Sequence, residues 1–202
     1  SYYGNCIGIP NVGGEIYFSK TYEGNPLVNA MCVGIINNNK IMSAKADQSG
    51  DLLVLVGSET GRDGIHGASG LASKTFKEQD ELRSAVQVGN PFLEKILIES
   101  CLEAIKLEEV VGLQDCGAAG ITSAAIEMAE RSKLGLMIDV SKIPQRESQM
   151  NAYELMLSES QERMLLSVKS DGFNKVKNIF DKWDIKCETI GKFIDKSSID
   201  IY

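Results

Sequence analysis

The stretch that most constrains this chain is VVGLQDCGAAGITSAAIEM, residues 110–128. An apolar run ends in Gln114 and Asp115, a small-residue turn with Gly117 and Gly120 follows, and an alanine-rich segment begins at Ile121. This order predicts strand, loop, helix. A side chain at the carboxyl end of a strand faces the crevice where open α/β sheets bind ligands. Glycines without a Cβ let the backbone approach a bound group. The N–H groups of the following helix suit an anion. An acid beside an anion site makes sense when a metal lies between them, and magnesium is held by one or two carboxylates plus phosphate oxygens. Asp115 is therefore a candidate magnesium ligand beside a phosphate-bearing molecule. The plainer reading is a tight strand–helix turn with an exposed acid.

A chain of 202 residues is long enough for one domain with a full core, or for one domain and part of another. The net charge of −7 argues against nucleic acid or an anionic membrane surface as the main partner, because both demand clustered Lys and Arg. No apolar run approaches the roughly 20 residues that span a bilayer. The five cysteines (Cys6, Cys32, Cys101, Cys116, Cys187) are odd in number and form no CxxC pair. That pattern argues against a disulfide framework or zinc site and fits a reducing cytoplasm. The single histidine, His66, leaves a Cys–His nucleophilic dyad without support. The chain opens without Met inside a glycine-rich segment, as an internal piece of a longer protein would.

Residues 1–48 predict strands without helices: a short one at 15–18, a longer one at 27–36, a turn at Asn37, Asn38 and Asn39, and a return over 40–46. The polar residues 47–51 mark a boundary. Beyond it, strands and helices intersperse. Residues 52–56 are continuously apolar, as in a strand buried on both faces. The glycine-dense loop 57–70 is adaptable enough to surround an anion, yet lacks the P-loop pattern. Within it, Arg62 and Asp63 could equally pair with each other. Asn90 and Pro91 start a helix whose face is Leu93, Ile96, Leu97, Cys101 and Ile105. Gln87 lies just before it. Residues 134–140 alternate as a strand, and 151–157 form a short helix leading to Ser158, Glu159, Ser160, Gln161, Glu162 and Arg163. This polar cluster, directly before the strand 164–168, places donors and acceptors at one end of a sheet, or else is an exposed loop. Phe173, Val176, Phe180 and Trp183 recur at helical spacing as a core stripe. Residues 185–190 form a further strand. Residues 192–202 are an edge strand or a tail. The pattern predicts an α/β sandwich, a sheet covered by helices.

Five stretches in order, GNPLVNAMCVGI, TGRDGIHGAS, AVQVGNPFLEK, GLQDCGAAGITS and MLSESQERML, resemble the large synthetase subunit of phosphoribosylformylglycinamidine synthase. The resemblance runs from about Tyr3 to about Gly191. It implies an aminoimidazole ribonucleotide synthetase-like fold of class α/β (α+β), with a mixed sheet covered by helices and preceded by strands of an incomplete N-terminal-type domain. The implied boundaries are 1–48 for that remnant, 49–195 for the C-terminal-like domain, and 196–202 for a tail. It implies an ATP- and glutamine-dependent ligase that converts formylglycinamide ribonucleotide to the amidine in purine biosynthesis. ATP would activate the formamide oxygen, and ammonia would displace phosphate. Residue by residue, Asp115 falls on a magnesium ligand, Gln87 on a substrate-binding Gln, and Glu159, Ser160 and Gln161 on a substrate-binding Glu-Ser-Gln.

The family's catalytic histidine segment and its second two-domain copy have no match here. The piece is therefore expected to be inactive alone, with no catalytic residue of its own. The implied partners are a glutaminase subunit and a small accessory subunit. The Glu159-Ser160-Gln161 cluster argues against aminoimidazole ribonucleotide synthetase or selenophosphate synthetase. The competing reading is a truncated module that binds or self-associates through exposed strand edges.

Overall fold

The computed structural model describes residues 2–24, 26–65 and 88–202. It divides into two compact units, Ser1–Ile41 and Met42–Tyr202.

In the first unit the described residues form one short helix, α1 (Tyr2–Cys6), two single 3-10 turns, and no strand. The strands expected at 15–18 and 27–36, and the hairpin through Asn37–Asn39, are not formed. Val28, Met31, Val33 and Ile35 all lie exposed. A strand is held by the neighbour that takes its N–H and C=O groups, and the apolar alternation alone supplies none.

The second unit holds a six-stranded mixed sheet in the order β2-β4-β1-β5-β3-β6. Its strands are β1 (Leu52–Gly57), β2 (Val110–Asp115), β3 (Gly135–Ile138), β4 (Arg163–Val168), β5 (Lys186–Ile194) and β6 (Ile199–Ile201). Every pairing is antiparallel except β3 with β6. The predicted class holds, and of the two readings for the last residues the edge strand is the one that forms.

Among the described residues four helices cover the sheet: α2 (Pro91–Ala104), α3 (Gly120–Ser132), α4 (Ala152–Leu157) and α5 (Phe173–Lys182). Side chains alternate across a strand, so β1 feeds two cores. Leu53 and Leu55 pack with Ile121, Ala124, Ala125 and Met128 of α3 and with Leu155 and Met156 of α4. Val54 and Val56 pack with Leu97 and Cys101 of α2 and with Val176 and Phe180 of α5. Burial on both faces is why residues 52–56 are continuously apolar.

The helix starts follow local chemistry. Asn90 Oδ1 accepts the N–H of Leu93 at 3.2 Å, with Pro91 in the first turn. Asn151 and Glu154 form a reciprocal capping box, each accepting the other's N–H at 2.9 Å. The polar stretch 47–51 is a tight turn in which Asp51 Oδ2 accepts the N–H groups of Asp47 and Gln48. The packed unit begins before that turn. Ser43 O accepts the N–H of Leu113 in edge strand β2, and a Cβ on Gly112 would stand 1.9 Å from Lys45 O. The chain over 43–45 thus covers part of that edge.

Candidate functional site

Strand register gathers the candidate residues at one end of the sheet. Gly57, the last residue of β1, is paired with Arg163, the first of β4, and Asp115, the last of β2, with Met164. The loops that leave β1 and β2 therefore meet the loop that enters β4. The N-termini of α2 and α3 reach the same end. Ligands of α/β sheets bind in such crevices, where loops from several strand ends converge.

Asp115 is exposed there. Its Oδ1 accepts the side-chain amide of Gln114 at 3.1 Å, and Gln114 Oε1 accepts Arg131 at 2.9 Å. A Cβ on Gly117 would lie 3.0 Å from Asp115 Oδ2, so glycine leaves room for the carboxylate to lie over the turn. Cys116 is buried, and that burial pushes its thiol up to about 11, so it is an inert neighbour and not a nucleophile. Burial likewise pushes the Cys101 thiol up to about 12.

Gly120 serves the chain itself rather than a bound group. Its φ is +56°, and a Cβ would stand 1.9 Å from Ser158 O. The turn after β2 is thus pressed against the loop before β4. The predicted anion position at the start of α3 is also partly filled from within. Glu159 Oε1 accepts the N–H of Ala119 at 2.9 Å, so a buried carboxylate faces the positive end of the helix.

The Glu159-Ser160-Gln161 segment is tightly held. The N–H of Glu159 donates to Asp63 O at 2.7 Å. Gln161 Nε2 donates to Glu159 O at 3.0 Å, and Ser58 Oγ donates to Gln161 O at 2.6 Å. Ser160 is almost fully buried. Its hydroxyl accepts the N–H of Gly61 at 2.9 Å and bonds to the Asp63 carboxylate. The Ser160 side chain therefore anchors the loop after β1, whereas Gln161 is half-exposed. Glu162 extends the connection to α2, since its Oε1 accepts the N–H of Asn90 at 2.9 Å. Gln87 and His66 lie outside the described residues, as does the last part of the 57–70 loop, residues 66–70.

Two arginines matter that were not among the candidate site residues. Arg163 is 3% exposed and donates to Ser160 O at 2.9 Å, Ser158 O at 2.5 Å and Thr60 Oγ1 at 2.9 Å. Burial pulls its guanidinium pKa down. The available signal was a charged residue opening an otherwise apolar strand. Arg62 does not pair with Asp63. It donates to Glu154 Oε1 at 2.8 Å and to Glu147 Oε2 at 3.1 Å, while Asp63 takes Arg146 at 2.8 Å. These bonds hold the Glu147 and Glu154 carboxyls below the usual range. They tie the loop after β1 to the segment before α4. Adjacent Arg and Asp side chains diverge here because partners farther along the chain offer better geometry.

Among the described residues no group of three His, Cys, Asp or Glu could enclose a metal. Asp115 fits magnesium as a single exposed carboxylate, the minimum such an ion accepts when phosphates and water complete its shell. No helix among the described residues is long and apolar enough to cross a membrane.

Comparison with known proteins identifies this arrangement. Residues 48–202 match the family described as AIR synthase related protein, C-terminal domain. The chain is 53% identical over 197 residues to phosphoribosylformylglycinamidine synthase subunit PurL of Caldanaerobacter subterraneus subsp. tengcongensis, covering 98% of this chain and 27% of that protein. It thus spans about a quarter of the length of the curated relatives it matches. T. maritima PurL complexed with FGAR superposes with a TM-score of 0.92 at 37% identity, over 100% of this chain and 33% of that one. T. maritima PurL complexed with ATP gives 0.86 at 34% identity, over 100% and 31%. With the matched domain filling the six-stranded unit and PurL likeness running through nearly the whole sequence, the chain belongs to the AIR synthase related protein, C-terminal domain family.

Proposed function

We propose that this chain forms part of the substrate crevice of a phosphoribosylformylglycinamidine synthase, the ATP- and glutamine-dependent ligase that makes formylglycinamidine ribonucleotide. The observation that carries the reading is the Glu159 Oε1 to Ala119 N–H bond of 2.9 Å. It joins the loop holding the candidate metal ligand to the loop holding the candidate substrate ligands. Relatives whose names and complexes record this enzyme, FGAR and ATP supply the chemical class.

In this reading Gln87, Glu159, Ser160 and Gln161 bind formylglycinamide ribonucleotide. Amides donate and accept at once, so Gln87 and Gln161 suit its formamide and hydroxyl groups. Ser160 contributes by fixing Gly61 and Asp63. Asp115 would hold magnesium, which, when bound, offsets phosphate charge. Phosphoryl transfer asks mainly for positioning and charge neutralisation, and the rigid hydrogen-bonded loops provide the positioning. The reaction would be completed by residues beyond this domain, with ammonia delivered from a glutaminase subunit and a small accessory subunit in the assembly.

The test is titration calorimetry with formylglycinamide ribonucleotide on the complete synthetase and its Glu159→Gln and Gln161→Ala variants. Each variant is expected to weaken binding about tenfold, the worth of one hydrogen bond to a charged group. Wild-type affinity in both variants would remove this segment from the substrate site.

A further inference from the structure

We infer that Arg163 is a positioning residue for the ribonucleotide, acting through the main chain of Glu159. The inference rests on the function proposed above and extends it to a buried side chain.

A guanidinium left 3% exposed is costly to bury, and a carboxylate is its usual compensation. The side-chain hydrogen bonds of Arg163 go instead to neutral oxygens. Two are the carbonyls of Ser158 and Ser160, at 2.5 and 2.9 Å, which bracket Glu159 on either side. One cation thereby fixes the peptide plane that leads into Glu159 and the plane that follows Ser160, so the Glu159-Ser160 turn is gripped at both ends. The third contact is Thr60 Oγ1 at 2.9 Å, in the loop after β1. The Arg163 carbonyl accepts the N–H of Cys116 at 3.1 Å, in the loop after β2. Arg163 therefore joins all three loops of the crevice. The forked, planar donor geometry of arginine suits two carbonyls and a hydroxyl together, which an ammonium on a flexible stem cannot match.

If Arg163 only stabilised the fold, the conservative variant Arg163→Lys would lower stability and leave substrate recognition intact. A positioning role predicts selective damage. In the complete synthetase, Arg163→Lys is expected to raise the KM for formylglycinamide ribonucleotide about tenfold, the worth of a lost charge-assisted hydrogen bond. The KM for ATP is expected to stay within about twofold, because the clamp grips the carbonyls around Glu159 and not the Asp115 carboxylate. A folded Arg163→Lys protein with wild-type KM for the ribonucleotide overturns the proposal. If Arg163→Lys does not fold, Thr60→Val decides in its place. That near-isosteric change removes one acceptor of the clamp, and it is expected to raise the same KM about threefold, with no rise refuting the role.

Failure of the proposed function shows differently. In that case Glu159→Gln and Gln161→Ala would also leave ribonucleotide affinity unchanged. Loss of affinity in those two with none in the clamp variants rejects the Arg163 role alone.

Discussion

The Glu159 carboxylate accepts the main-chain N–H of Ala119 at 2.9 Å, so the acid before β4 sits on the first turn of the helix after β2. A ligand spanning this end of the sheet meets a helix start whose positive end is already partly neutralised. Ala119 and Gly120 both have positive φ, at 59° and 56°, which shapes the turn around that carboxylate.

Those two adjacent residues should respond oppositely to substitution. Gly120→Ala places a methyl on Ser158 O and imposes a left-handed conformation on a residue with a Cβ. It is expected to cost about 2–4 kcal/mol in urea unfolding, more than conformational strain alone. Ala119→Gly relieves such strain and is expected to be neutral or stabilising by up to about 1 kcal/mol. Equal effects from the two changes would contradict the close approach at Gly120.

Asp115→Asn preserves shape and removes charge. In the complete synthetase it is expected to lower activity at least about tenfold at low magnesium, with partial recovery as magnesium rises. Kinetics unchanged at low magnesium would remove Asp115 from the metal ligands.

Arg62 should make stability depend on acid. Its bonds hold the Glu154 and Glu147 carboxyls below their ordinary values. A depressed carboxylate stabilises the fold above the unfolded value, about pH 4.3 for glutamate, and that contribution is lost as pH falls through the folded value. Arg62→Met is therefore expected to melt lower than the native protein at pH 7, with the gap closing as pH falls below about 4. A constant gap across that range would show that the ion pairs contribute no net stability.

Phe180 is fully buried between α5 and the sheet. Phe180→Ala should cost roughly 3–5 kcal/mol in chemical denaturation through lost transfer energy and a residual cavity. A loss below about 2 kcal/mol would mean that this face collapses to fill the space.

Much of the second unit was legible from local pattern. The run 52–56, the Asn90-Pro91 start and the Phe180 stripe each follow from periodicity and capping, which act over a few residues. In the first unit the same local signals fail. Apolar alternation over 27–36 satisfies the pattern of a strand, yet a ladder requires a second strand, and none forms among its described residues.

The candidate site divides in the same way. By itself the sequence determined which residue types stand at strand ends: Asp115 after an apolar run, and Glu159, Ser160 and Gln161 before another. Only the tertiary structure decided which way each of them turns. Ser160 faces inward to Gly61 and Asp63, Gly120 yields to Ser158 O, Arg62 passes over Asp63 for Glu147 and Glu154, and Arg163 clamps the segment from beneath. These bonds join residues up to 103 positions apart. Their geometry is set by sheet register and desolvation, which no local window of sequence contains.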